Sequence, residues 1–220
     1  MADKKGSGQR AKAEDELVFL ALGGLGEIGM NAYLYGIGPP DARQWLMVDL
    51  GITFPEGEDD PGIDVILPDI RFIEQERGAL DGIVITHAHE DHIGAVIDLW
   101  PRLGVPVYAT AFTAGMLKSK LAEYGGALEI PIKELPLDGR FTVGPFDIEL
   151  ISMAHSIPES SALAIRTPLG LVFHTGDWKL DATPIIGEPA DDFLLTAQAL
   201  AEFLRRASEH RRRHGLGATE

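Results

Sequence analysis

No cysteine occurs in the 220 residues, which excludes disulfides, thiolate nucleophiles and every sulfur-ligated zinc site. Such a chain is easiest to reconcile with a reducing compartment, and a cytoplasmic location is expected. No uninterrupted apolar run approaches the roughly 20 residues needed to span a bilayer, and no membrane partner is expected. The segment from Met1 to Glu16 lacks the apolar stretch of a secretory signal. Basic residues are scarce through the body of the chain. Residues 17–190 hold 10 Lys+Arg against 25 Asp+Glu, which accounts for the whole net charge of −15. Phosphate contacts need Lys or Arg, so bulk charge argues against loose, nonspecific binding to nucleic acid. The same excess of carboxylates tolerates bound divalent cations. At 45% hydrophobic and 24% charged residues, the composition is that of an ordinary globular protein with room for one substantial core.

Residues 1–16 are polar and charged and read as a disordered leader. From Leu17 onward, short strand-like runs alternate with Gly- and Pro-rich breaks. The runs are Leu17–Leu22, Ala32–Ile37, Trp45–Leu50, Ile83–Thr86, Val105–Ala109, Phe141–Val143, Ile148–Met153, Ala162–Arg166 and Leu171–His174. Helix-like periodicity falls on Ile70–Arg77, Ile93–Arg102, Phe112–Tyr124 and Asp192 to about Arg213. Strands with helices between and outside them predict an α/β sandwich over residues 17–190, followed by a helical, Arg-rich tail at 191–220.

The stretch Thr86-His87-Ala88-His89-Glu90-Asp91-His92-Ile93-Gly94 carries the most chemistry. It concentrates three of the chain's seven histidines and a carboxylate just past a β-branched run. Imidazole nitrogen and carboxylate oxygen are the ligands that borderline cations such as zinc prefer. A strand releasing its chain into a loop can aim His87 and His89 at one point, and Asp91 and His92 at a second. Metal pairs in hydrolases sit roughly 3.5–4 Å apart. Four ligands do not complete a pair of sites. Downstream, His155 and Asp177 both follow strand-like runs. The expected assignment is His87, His89 and His155 to a first zinc ion, Asp91 and His92 to a second, and Asp177 shared. Asp91 is also the expected catalytic group. Asp49, ending a strand-like run, could orient a ligand imidazole through its free N–H. His174 lies in a run that should be buried, and is expected behind the ligands or in the core.

One motif points elsewhere. Gly24-Leu25-Gly26-Glu27-Ile28-Gly29 matches G-x-G-x-x-G and follows a strand-like run, with Asp49 twenty residues past Gly29. A dinucleotide site needs a helix to start inside that motif, so that its amides meet a pyrophosphate. Here the motif leads into Asn31-Ala32-Tyr33-Leu34-Tyr35, whose tyrosines alternate as in a strand. The glycines are therefore expected to pack a loop beside the metal centre, with no nucleotide cofactor.

H-x-H-x-D-H after a strand, followed by His155 and Asp177, resembles the metallo-β-lactamase superfamily. Several strings are similar to ribonuclease J of its β-CASP branch. These include Leu22-Gly23-Gly24-Leu25-Gly26-Glu27-Ile28-Gly29-Met30-Asn31, Phe54-Pro55-Glu56, Leu67-Pro68-Asp69-Ile70, His155-Ser156-Ile157-Pro158-Glu159-Ser160 and His174-Thr175-Gly176-Asp177-Trp178-Lys179. The resemblance runs from about Leu17 to Pro189. It implies an αββα sandwich, here incomplete, and zinc-dependent cleavage of RNA by activated hydroxide, as a 5′→3′ exonuclease with endonuclease activity. It also implies longer chains, with a β-CASP domain and a last ligand histidine that residues 191–220 do not match, so weakened activity is expected. Two other readings stay open. One is a compact ester or thioester hydrolase; the other is a catalytically impaired partner of a full-length relative. RNA is the expected substrate, and a homo-oligomer or pairing with that relative is the assembly left open.

Overall fold

The structure, a computed structural model, describes residues 14–55, 62–125 and 128–179. The leader up to residue 13 and the expected tail at 191–220 lie outside the described residues. Six strands form the first sheet in sequence order: β1 (Glu16–Gly23), β2 (Ala32–Gly38), β3 (Gln44–Val48), β4 (Leu80–Val84), β5 (Val107–Thr110) and β6 (Ile132–Leu135). β1 to β3 pair antiparallel, and β3 to β6 run parallel. Parallel neighbours need long crossovers, which here carry α1 (Arg71–Gln75), α2 (Glu90–Ile93), α3 (Val96–Leu103) and α4 (Ala111–Glu123). A second, antiparallel sheet holds β7 (Arg140–Val143), β8 (Phe146–Ser152), β9 (Ser161–Thr167) and β10 (Gly170–His174), in the order β10-β9-β8-β7.

The period-2 alternation of the strands sorts the core into two layers. Trp45 and Met47 of β3, Ile83 of β4 and Val107 of β5 face the helices, packing with Ile73, Val96, Leu99 and Leu117. Their neighbours Leu46, Val48, Val84 and Tyr108 face the second sheet, against Phe146, Ile148, Leu150 and Ile165. β3 is buried on both faces, so its continuous apolar run marks a central strand. Helix, sheet, sheet is the layering among the described residues, consistent with the α/β sandwich expected.

Three of the departures from expectation have local reasons. β4 ends at Val84: Ile85 still donates its N–H to Tyr108 O at 2.9 Å, but Thr86 turns its N–H to the Asp49 carboxylate. The helix expected at Ile93–Arg102 is broken. Ala95 N–H donates to Leu50 O at 3.0 Å instead of closing a helical turn, and Ile52 packs where a Cβ on Gly94 would lie. β6 was not expected at all. It is a short edge strand with Lys133 and Glu134 exposed, so no apolar alternation announced it.

The loop after β8 is pinned to α4. Glu159, at φ +60°, accepts the Phe112 N–H in the first turn of α4 through Oε2 at 2.8 Å. Thr110 at the N-cap makes no side-chain cap bond, so Glu159 supplies that function from outside the helix. Glu159→Ala should lower stability by about 1 kcal/mol. Urea unfolding checks this: a lower midpoint at unchanged slope is expected, whereas an unmoved midpoint would show that the contact does not hold the loop.

Candidate metal centre

Three strand ends meet at one edge of the sandwich. The segment after β4 carries His87 and His89 and runs into α2, whose residues include Asp91 and His92. The segment after β8 carries His155, and the one after β10 carries Asp177. Backbone bonds fasten them: Ser161 N–H to Thr86 O at 3.1 Å and Lys179 N–H to Ala154 O at 2.8 Å, with Ser160 Oγ–H to Asp177 O at 3.2 Å. The metal-motif turn is clamped from the other side. Leu50 and Ile52 donate to the carbonyls of His92 and Glu90 at 2.8 and 3.1 Å, and Asn31 donates to Asp91 O at 2.9 Å. Gly51 sits inside this clamp, where a Cβ would lie 1.7 Å from Asp91 O.

Asp49 is the hub behind the imidazoles. It is fully buried and adopts φ +60°, a conformation Asp tolerates better than most side chains. Its carboxylate accepts the Thr86 N–H at 2.8 Å, the Thr86 hydroxyl at 2.9 Å and the His92 Nδ1–H at 2.7 Å. With its proton given to Asp49, Thr86 Oγ1 accepts from His87 Nδ1 at 3.0 Å. Both buried imidazoles thus place Nδ1–H on the Asp49 side, leaving Nε2 lone pairs turned toward the site. Such outer partners fix tautomer and ring orientation in metal centres.

His87, His89 and His155 converge. His89 Nδ1 lies 3.0 Å from His87 Nε2 and 3.2 Å from His155 Nε2, with the three rings packed edge to face. Tetrahedral zinc with nitrogen at about 2.0–2.1 Å has ligand–ligand edges of about 3.3–3.4 Å, so this donor set fits it closely. A second group gathers His87, His92 and Asp177, its ligand atoms all within 4.8 Å. Asp177 Oδ1 lies 3.6 Å from His92 Nε2 and Oδ2 3.8 Å from His155 Nε2, so its carboxylate reaches both groups. Asp91 Oδ2 lies 3.5 Å from His92 Nε2 at the second group's rim. His174 instead meets the Tyr35 hydroxyl through Nδ1 at 2.9 Å, and its ring packs edge-on to Tyr33. It stands between the sheets rather than against a ligand.

Two contributors went unassigned in the sequence. Thr86 relays Asp49 to His87. Asn31 places Nδ2 3.0 Å from His92 Nε2 and 3.2 Å from Asp91 Oδ2. Asn31 ends a string quoted for the resemblance and Thr86 precedes the histidine motif, but no spacing rule marks a Thr or Asn as a partner of an imidazole. The Gly-rich loop bends through positive φ at Gly24, Gly26 and Gly29 and leads into β2, so no helix N-terminus forms there.

Burial makes charging His87 costly, and neighbouring His92 adds to that cost, bringing its pKa down to about 3. For His92, burial disfavours the charged form, while the Asp49 carboxylate favours it and pulls the pKa upward. The Asn31 amide works against protonation, because its contact is a hydrogen bond only while Nε2 keeps a lone pair. Asp177 is held down at about 2, chiefly by its closeness to His92, whose Nε2 lies 3.6 Å from Oδ1. Linkage gives a sign for the metal-free chain. Below the unfolded His pKa of about 6.5, the unfolded state takes a proton that folded His87 refuses. Stability from His87 is therefore full above about pH 6.5 and drains away as pH falls toward 3. Urea midpoints of chelator-treated protein should drop between pH of about 7 and about 4.5, and His87→Gln should flatten the drop. An equally steep drop in the variant would remove His87 as its cause.

The family described as Beta-lactamase superfamily domain matches residues 60–203. The chain belongs to that superfamily. Ribonuclease J of Sinorhizobium meliloti is 56% identical over 190 residues, covering 86% of this chain and 34% of that protein. Ribonuclease J of Thermus thermophilus is 39% identical over 204 residues, covering 89% and 34%, and that of Helicobacter pylori is 39% identical over 203, covering 90% and 28%. The chain thus spans about a third of the length of these curated relatives. Among the described residues, no helix is long and apolar enough to cross a membrane.

Proposed function

We propose that the chain carries the metal centre of a zinc-dependent ribonuclease of the ribonuclease J type. The observation that carries this reading is the meeting of His87, His89 and His155 beside His92 and Asp177, in a chain similar to proteins of that name. When bound, a zinc pair supplies Lewis acidity and hydroxide at neutral pH. The residues do the rest. His87, His89 and His155 form the first site, His92 and Asp91 with His87 nearby form the second, and Asp177 spans them. Asp91 is about one-third exposed and keeps its carboxylate at the open side, where it orients attacking water toward a phosphodiester. The buried Asp49–Thr86 pair keeps the imidazoles from turning away, so the ligand set is prepared before any cation arrives.

Cleavage by the isolated chain should be slow, since substrate positioning supplies much of an enzyme's rate and the relatives devote about two-thirds of their length to segments outside this match. The test sets zinc-loaded protein against 5′-monophosphorylated RNA labelled at its 3′ end, alongside a chromogenic ester. Metal-dependent shortening of the RNA is expected, abolished by chelator. Intact RNA at stoichiometric protein with two zincs bound would defeat the reading. Turnover of the ester alone would replace it with an ester hydrolase on the same centre.

A further inference from the structure

One donor at the second group has been given no task. Asn31 Nδ2 faces both His92 Nε2, at 3.0 Å, and Asp91 Oδ2, at 3.2 Å. Its orientation is set from behind: the Tyr33 hydroxyl lies 2.8 Å from Asn31 Oδ1 and 3.2 Å from Gly24 O. A hydroxyl has one proton to give, and the shorter contact assigns it to the Asn31 oxygen. The NH₂ end is then left pointing at the two candidate ligands. The main chain holds the same place, with Asn31 N–H on Asp91 O and Gly51 N–H on Asn31 O, both at 2.9 Å. Gly24 leaves room for this arm, because a Cβ there would lie 2.4 Å from Asn31 Oδ1 and 2.5 Å from Tyr33 Oη.

We propose that Asn31 is a positioning residue for the second cation site, holding the Asp91 carboxylate in its ligating rotamer, with Tyr33 fixing which end of the amide faces the site. The proposal rests on the metal reading above. Asp91 sits on a four-residue helix at the rim, one-third exposed, and among the described residues has no partner as well buried as Asp49 is for His92. Without the amide, its side chain is free to turn to solvent. A cation taking the His92 Nε2 lone pair displaces Asn31 from that nitrogen but leaves its bond to Asp91, so the amide serves the loaded site as well. Among the described residues, Asn31 makes no hydrogen bond to His87, His89 or His155. The consequence is selective: loss of Asn31 weakens one site and spares the other.

Zinc titration by calorimetry reads this directly, on wild type, Asn31→Ala and Tyr33→Phe, with circular dichroism to show that each is folded. The wild type should bind two ions. Asn31→Ala should keep the tighter site unchanged and weaken the other by about 10–100-fold, the usual scale for losing a partner of a metal ligand. Tyr33→Phe, which frees the amide to flip without removing it, should weaken the same site by a smaller factor. Two unchanged affinities in Asn31→Ala overturn the proposal. So does an equal loss at both sites, since the residue would then support the whole loop. If Asn31→Ala is unfolded, the result for Tyr33→Phe decides by the same criteria. A wild-type chain that binds no zinc removes the metal reading itself, and this inference with it.

Discussion

His87→Ala is expected to strip zinc from both groups at once and to lower any RNA cleavage by roughly 10³-fold or more, beyond the loss of a single transition-state donor. The reason is geometric. His87 falls in both the His87–His89–His155 and the His87–His92–Asp177 groups, whereas His89 falls only in the first. The one free lone pair of His87, on Nε2, ligates the first ion while its ring, 4.0 Å from that of His92, walls the second site. Its position is also the best defended, fully buried with Nδ1 on Thr86. His89→Ala should therefore leave residual metal at the second group, and His87→Ala should leave almost none. Metal content after gel filtration, with folding verified by circular dichroism, checks the ranking. Equal zinc in the two variants would mean that His87 does not support the second site.

Asp49→Ala should be the most destabilising single substitution near the site, at about 3–5 kcal/mol in the metal-free chain. Removing the carboxylate strands the Thr86 N–H, the Thr86 hydroxyl and the His92 Nδ1–H, all in a dry interior. Burial favours the neutral form of Asp49, yet the charge and hydrogen bond of His92 overcome it and hold its pKa below the ordinary carboxylate range. The ion is therefore well compensated in place and poorly replaced. Asp49→Asn keeps the shape but presents an NH₂ group to donors on at least one side, so an intermediate loss is expected. Urea unfolding in chelator measures both. A cost below about 1 kcal/mol for the alanine variant would show that Asp49 is not the hub described.

Much of this arrangement could be read from residues alone, and the failures share a cause. β2 and β3 announced themselves because their alternating side chains had to satisfy two layers, helices on one face and a sheet on the other, and β8 and β9 because one face packs on that sheet. β6 did not, since an edge strand with exposed Lys133 and Glu134 needs no apolar alternation. The break between α2 and α3 was hidden for a related reason. It depends on Leu50 O accepting the Ala95 N–H, a partner 45 residues earlier that no local pattern encodes. At the site, the H-x-H-x-D-H spacing proposed its own ligands, and the structure brings distant His155 and Asp177 to them. Asn31 and Thr86 stayed silent because their roles come from where a loop and a strand end meet. The glycine motif at 24–29 shows the converse: a pattern tied to one chemistry means little when β2, not a helix, follows it.

Crystals of the zinc-loaded chain, measured on both sides of the zinc absorption edge, bear most directly on the proposed centre. Two anomalous peaks are expected roughly 3.5–4 Å apart. One should be ringed by His87, His89 and His155, the other should lie against His92, and Asp177 should stand between them. Zinc found only at other surface carboxylates, or density showing His155 and Asp177 turned away from the 87–92 segment, would contradict the account.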